Sequence, residues 1–320
     1  MNKPQSLILV LGLALGSVAA QARDRDRDRD HDDDGELRQV DEHRPLKANA
    51  QVDVSNVAGL IEVQTWDKNE LHLTGTLSEE VEKLDITGDA SHLKIEVKLP
   101  KRTRNVEDTE LYLKVPAGIS LEARGVSADI RVDGIKGDLE ANSVSGDVRV
   151  KVESKSVRAQ SVSGDVEVDA PQSTVTRVES VSGDVTIRGV KGELRGETVS
   201  GDVEVRGQVA RRVEVQSVSG DLDLDVELTV DAEVEAETMS GNVSLRVPKL
   251  PDVRIELETY SGEIERSELL PDYKGRQRSR HDDDEDDDDE EEGKEYTREG
   301  KGPGRVRLHS FSGDIAVQKR

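Results

Sequence analysis

Along most of this chain apolar and polar residues alternate with period 2, the pattern of strands that bury one face. A Ser-Gly step, followed by Asp in most copies, interrupts the alternation at regular intervals. Its glycine recurs at Gly146, Gly164, Gly183, Gly201, Gly220, Gly241 and Gly262, in steps of 18 to 21 residues. Gly59 and Gly313 carry the same pattern near the two ends, and Ala128 takes the glycine's place 18 residues before Gly146. A period of this length is the mark of a stacked repeat, in which one copy cannot bury its apolar face alone.

Aligned on the glycine, the residues 7, 5 and 2 before it and 2 and 4 after it are mostly apolar. For Gly164 they are Val157, Ala159, Val162, Val166 and Val168; for Gly313 they are Val306, Leu308, Phe311, Ile315 and Val317. All five columns read as inward-facing. Glycine accepts positive φ and the Asp side chain can bond nearby backbone, so the step reads as a corner. A second corner falls about nine residues away, at Gly137-Asp138, at Gly192-Glu193 or near Lys155-Ser156. Two strands and two corners per copy predict an all-β fold, a parallel β-solenoid (β-helix) of 18–21-residue coils with an irregular N-terminal β cap. Coils about 4.8 Å apart would stack like residues into a valine ladder, each valine contributing roughly 1.5–3 kcal/mol on burial. An antiparallel sandwich of hairpins is the competing fold, but it does not require every copy to repeat the same columns.

Breaks in the pattern divide the chain. Residues 1–22 read as a secretory signal peptide, with Lys3, the apolar run Leu7 to Leu15 and the small residues of Ala20-Gln21-Ala22. Export to the periplasm or cell surface follows from it. No cysteine follows the apolar run, which excludes a lipoprotein anchor, and no later stretch is long and apolar enough to span a membrane. Residues 23–47 form a charged, disordered leader, 48–125 the N-terminal β section, and 126–266 the regular repeats. Residues 267–304 form a disordered loop carrying eleven consecutive acids, Asp282 to Glu292, and 305–320 a terminal β coil.

Charge and composition then narrow the function classes. The net charge of −24 leaves no basic stripe for nucleic acid. The absence of cysteine excludes thiolate catalysis and cysteine metal sites. Trp66, Tyr112, Tyr260, Tyr273, Tyr296 and Phe311 are all the aromatics, few for an ordinary core and few as stacking platforms for sugars or bases.

Three motifs carry a resemblance: Ile61-Glu62-Val63-Gln64-Thr65-Trp66-Asp67, Leu113-Lys114-Val115-Pro116-Ala117-Gly118, and the serial Val-Ser-Gly-Asp-Val units. With these the chain resembles the putative-adhesin β-strand-repeat family over roughly residues 48 to 319. The resemblance implies a β-helical fold and a place in the cell envelope, and brings no catalytic residues. The Arg-Asp leader and the acidic run are outside that pattern.

Candidate chemistry is sparse. The residue after the turn glycine, Asp in most copies but Asn242 and Glu263 in two, forms a column, with Asp147, Asp165, Asp184, Asp202 and Asp221 as weak candidates for divalent cations between coils. The Gly-Gly-x-Gly-x-Asp repeat of calcium rolls is missing, so a corner-stabilising role is preferred. Two Ser/Thr columns, one through Ser143, Ser161, Ser180, Thr198, Ser217 and Thr238 and one through Ser145, Ser163 and Ser182, read as outward. The column three after each glycine (Arg149, Glu167, Thr186, Glu204, Asp223, Ser244) mixes charge without a focus, unlike the acid cluster of a β-helical sugar lyase. The six histidines show no metal-ligand spacing, and His-Asp-Asp-Asp at 31–34 and 281–284 reads as solvated polar sequence. The expectation is a non-enzymatic envelope scaffold without cofactor, binding an envelope protein or glycan through flat faces. The alternatives are a cation-responsive envelope protein acting through its acidic loop, with weak divalent-ion binding there, and, more remotely, a polysaccharide-acting enzyme.

Overall fold

The computed structural model describes residues 37–100, 106–189, 191–273 and 294–320. The signal-peptide reading, most of the leader and the acidic run lie outside them. Six strands precede the regular coils: β1 (Arg38–Pro45), β2 (Gln51–Trp66), β3 (Glu70–Leu77), β4 (Lys83–Gly88), β5 (His92–Lys98) and β6 (Thr109–Pro116). The regular coils open with β7 (Ser120–Asp133) and continue as short pairs. These are β8 (Leu139–Asn142) with β9 (Val148–Lys151), β10 (Ser156–Gln160) with β11 (Val166–Asp169), and β12 (Val175–Glu179) with β13 (Val185–Arg188). Then come β14 (Glu193–Glu197), the long β15 (Val203–Ser219) and β16 (Leu222–Ser240), and β17 (Val243–Val247). The chain ends through β18 (Arg254–Thr259), β19 (Lys294–Arg298), β20 (Arg305–Ser312) and β21 (Ile315–Lys319).

The fold is a parallel β-solenoid. Strands entering the glycine corner stack in one ladder, β8 on β10 on β12 on β14, in parallel register with Ala141, Ala159, Val178 and Gly196 aligned. Strands leaving it stack in a second ladder, β9 on β11 on β13 on β15, with Val148, Val166, Val185 and Val203 aligned. Between the ladders lies one continuous core of Val, Ile, Leu and Ala. β-branched side chains suit such a pleated, one-side-buried surface. The columns seven before and two after the glycine are buried over the whole stack, as Val157 and Val166 illustrate. The column of Val168 is buried in every coil but that of Gly262, where Arg266 is exposed, and the column five before the glycine is filled by Ala159, Val178, Val215 and Ala236.

The fifth column is a correction. Val126, Val144, Val162, Val181 and Val199, two before the glycine, point outward, with Val144 41% exposed, and so do Met239, Tyr260 and Phe311. The inward place near the corner belongs to the residue three before the glycine. Ser143, Ser161, Ser180, Thr198, Ser217, Thr238, Thr259 and Ser310 are all buried, so this Ser/Thr column is interior. Period 2 therefore continues one step nearer the corner than the apolar count suggests, and a hydroxyl replaces the last hydrocarbon.

Both ends of the stack depart from chain order. The first long strand, β2, pairs in parallel with β5 and β6 on one side and with β7 on the other. The coil made by β5 and β6 thus lies outside the coil that precedes it in sequence. At the other end β20 pairs in parallel with both β16 and β18, and β21 pairs with β17. The last coil of the chain is therefore second from the end in space, not terminal. Antiparallel strands finish each end: β4 on β5, β3 on β6 with β1 beyond it, and β19 on β18.

Two expected boundaries shift with this. The charge pattern extends a disordered leader to residue 47, but Arg38–Pro45 is β1. The break in the repeat predicts a loop over 267–304, but Leu270 and Tyr296 are buried in the core and Lys294–Arg298 is β19. Charged composition hid both, because an edge strand carries its charges on the solvent face.

Candidate functional site

The glycine corner repeats along the stack in the order Gly59, Ala128, Gly146, Gly164, Gly183, Gly201, Gly220, Gly241, Gly313, Gly262. A Cβ added at Gly164 would collide with the carbonyl oxygen of Gly146, and the same clash recurs up the column. Close approach of coil to coil is what demands glycine there. Positive φ is required at Gly59 (φ 103°), where the cap joins, but Gly146, Gly164, Gly183 and Gly201 have ordinary backbone.

Two hydrogen-bond ladders tie the corners together. Ser161 Oγ donates to the carbonyl of Gly146 at 2.9 Å and accepts from the N–H of Gly164 at 3.0 Å. Ser143, Thr238 and Ser310 make the equivalent bond to the turn carbonyl of the coil before them. The Asp column does the second job. Asp147 Oδ1 accepts the backbone N–H of Asp165 at 3.1 Å, Asp165 that of Asp184 at 3.0 Å, and Asp184 that of Asp202 at 2.9 Å. Asp202 and Asp221 accept from Asp221 and Asn242 in turn. Asn242 keeps the ladder with its amide oxygen, which accepts from the N–H of Asp314 at 2.9 Å. Glu263 ends it, accepting no such bond because its coil is the last in space; its own N–H goes to Asp314.

Each of these carboxylates thus has a backbone donor as its partner, and their oxygens do not converge. Among the described residues, the one place where three ligand atoms of His or acidic side chains converge is Asp41, His43 and His72 on β1 and β3. Sequence spacing hid this group, since His43 and His72 are 29 residues apart and meet only through the antiparallel register of the cap. His31 and the His281 motif lie outside the described residues.

Much of the charge on the flat faces is paired. Arg149 bonds Asp147 at 2.9 Å, Arg246 pairs with Asp223 at 2.7 Å, and Arg188 pairs with Glu167. Arg307 bridges Glu256 and Glu235 from neighbouring coils, at 3.0 and 3.3 Å. Glu237, half-buried beside Glu235, has its carboxyl pushed above the usual range, mainly by burial. The column of Arg149, Glu167, Thr186, Glu204, Asp223 and Ser244 runs straight along the second ladder, spread evenly.

The outer edge of the corner is different. Val126, Val144, Val162, Val181, Val199, Met239, Phe311 and Tyr260 follow one another coil by coil as exposed apolar side chains, with the half-exposed Val218 filling the one gap. Phe311 and Tyr260 stack at 4.9 Å between ring centroids, with planes 6° apart. At about 4.8 Å per coil the ridge is roughly 40 Å long. In each coil the ridge residue is followed by an exposed serine, as at Ser145, Ser163 and Ser182, and the Asp column runs two residues further on.

Comparison with known proteins places this geometry among relatives. The family model described as Toastrack DUF4097 matches residues 48–318. Similar solved structures include a putative adhesin from Bacteroides fragilis, 13% identical, covering 88% of this chain and 97% of that one, with a TM-score of 0.39. Another is a putative lipid binding protein from Parabacteroides distasonis, 14% identical, covering 88% and 96%, with a TM-score of 0.36. A putative cell adhesion protein from Clostridium sporogenes is 10% identical, covers 89% and 100%, and has a TM-score of 0.19. No curated protein matches.

Proposed function

This chain belongs to the Toastrack family, and from that premise we propose that it is a non-enzymatic, adhesin-like scaffold of the cell envelope that binds a polypeptide partner along its corner ridge. The observation that carries the reading is the uninterrupted ladder of exposed Val, Met, Phe and Tyr side chains. Single exposed apolar residues are ordinary; a contiguous stripe rimmed by polar residues marks an interaction surface. Nothing in the folding of a coil requires hydrocarbon there, because the hydroxyl beside it already closes the corner.

The rim narrows the partner. Asp carboxylates line one side of the stripe, so an apolar segment with Lys or Arg on its flank fits better than an acidic polysaccharide. Many of the charged groups on the flat faces are paired, and they are spread along the ladder without a focus, which supports binding over catalysis. The basic start, apolar run and Ala-Gln-Ala step support export.

The reading is tested with a ridge variant, Val144→Ser, Val162→Ser, Val181→Ser and Val199→Ser together. These side chains are exposed, so the melting midpoint is expected to stay within a few degrees of the parent. Both proteins are then titrated against peptidoglycan sacculi, anionic polysaccharide, phospholipid vesicles and solubilised envelope proteins. Expected is binding to envelope protein that falls at least tenfold in the variant. Equal binding by both proteins would overturn the reading, as would preference for sacculi or vesicles.

A further inference from the structure

At the N-terminal end of the second ladder, β1 pairs with β3 along its whole length. Their register sets His43 directly opposite His72 on the outer face. The two imidazoles stack, with centroids 4.1 Å apart and planes at 12°. Asp41, two residues before His43 and so on the same face, brings Oδ1 to 3.0 Å from His72 Nε2 and 3.8 Å from His43 Nε2. Glu70 Oε1 lies 3.9 Å from His43 Nδ1. One ligand atom from each of Asp41, His43 and His72 can be chosen so that all three lie within 4.8 Å of one another.

We propose that Asp41, His43 and His72 bind a divalent transition-metal ion of the zinc class, which staples the edge strand β1 to β3. Two imidazole nitrogens and one carboxylate suit such an ion, whereas Ca²⁺ and Mg²⁺ take six or more oxygens. Zinc bonds of about 2.0–2.2 Å place neighbouring ligand atoms roughly 3.5 Å apart. The group closes to that spacing by side-chain rotation, which the exposure of Asp41 and His43 permits. His72 is the fixed member, with one flank against the Trp66 ring at 6.0 Å between centroids. Of the cations around the group, Lys68 is drawn to the Trp66 ring and to Glu70, 3.5 Å from its carboxylate, and Lys114 lies opposite His72 on β6.

The ion takes the place of the proton shared between His72 Nε2 and Asp41. That proton moves to Nδ1 or to solvent as Nε2 turns its lone pair to the metal. Three protein ligands leave a fourth position, which Glu70 or a water fills. The function is mechanical: β1 covers the edge of β3, and an edge strand that frays exposes a template for unwanted pairing.

The test uses the full chain. Zn²⁺ is titrated calorimetrically, and Co²⁺ serves as the spectroscopic probe, since a four-coordinate site gives intense visible bands. Expected is one site, with affinity reduced at least tenfold by His72→Ala and by His43→Gln, and Ca²⁺ unable to compete. Zn²⁺ should also raise the melting midpoint of the parent but not of His43→Gln, a conservative change at an exposed position. His31→Ala and His281→Ala control for the histidines beside the acidic motifs. Zinc binding unchanged in both β1–β3 variants, lost only in the His31 or His281 variant, or absent from the parent would overturn the site.

Discussion

At the scale of single residues, the corner separates two serines that look alike in sequence. Ser161 is 4% exposed and satisfies both the Gly164 N–H and the Gly146 carbonyl; Ser163, two residues on, faces solvent. Ser161→Ala leaves a buried donor and acceptor unpaired and should cost about 1–3 kcal/mol. Ser163→Ala should change stability by less than about 0.5 kcal/mol. Denaturant unfolding of both variants checks the contrast. Asp165 poses a second choice, between charge and acceptor. Stacked carboxylates repel one another, yet each takes a backbone N–H of the next coil, and Asn242 performs that task without charge. Asp165→Asn is therefore expected to keep the parent stability, and Asp165→Ala to lose about 1 kcal/mol. Parity of the two variants would mean that the ladder contributes nothing.

At the scale of elements, the coil is the unit that can be removed. Deleting Asp165 to Gly183 joins Gly164 to Asp184 and brings β10 into line with β13, restoring a corner with its hydroxyl and carboxylate in place. That variant should fold with a modestly lower melting midpoint, while deleting nine residues from the same stretch reverses which ladder a strand enters and should abolish cooperative melting. Far-ultraviolet circular dichroism during melting distinguishes them. The acidic insertion divides similarly. A neutral linker in place of Asp282 to Glu292 should leave melting unchanged, because adjacent carboxylates have no way to pack. Extending the replacement to Gln277–Gly302 removes β19 with its buried Tyr296 and should bring aggregation through the bared β18. The strands and their period were legible in the sequence because every coil repeats the same buried columns. Less legible was which side of the corner a valine takes: Val162 and Val157 are equally apolar, and only the bonds of Ser161 show which is inside. The cluster on β1 and β3 was not legible at all, since antiparallel register between distant segments leaves no periodic trace.

At the scale of the whole molecule, the interleaved ends alter how the stack should come apart. In a sequential repeat protein the end coils touch one neighbour each and fray first. Here the first coil of the chain, built on β2, and the last, built on β20 and β21, both have neighbours on two sides. The coils outside them are tied in through loops from the interior, so among the regular coils an outer one does not fray as a free end, while β1 remains an outer edge strand. Removing residues 305–320 would then do more than shorten the solenoid. It takes out the layer between β16 and β18, strips β18 of its parallel partner, and leaves the turn carbonyl of Gly241 without the Ser310 hydroxyl. Loss of β18 and β19 as ordered strands should follow. The expected outcome in hydrogen exchange is slow exchange for β2 and β20 in the full chain, as slow as in β10 and β12, with β1, β4 and β19 exchanging first. In the chain ending at Gly304, the protection of β18 should collapse while that of β8 through β14 persists. Retained protection of β18 after that truncation would mean that the outer coil is held by its antiparallel strand alone, and that the intercalated coil is not the clasp of the C-terminal end.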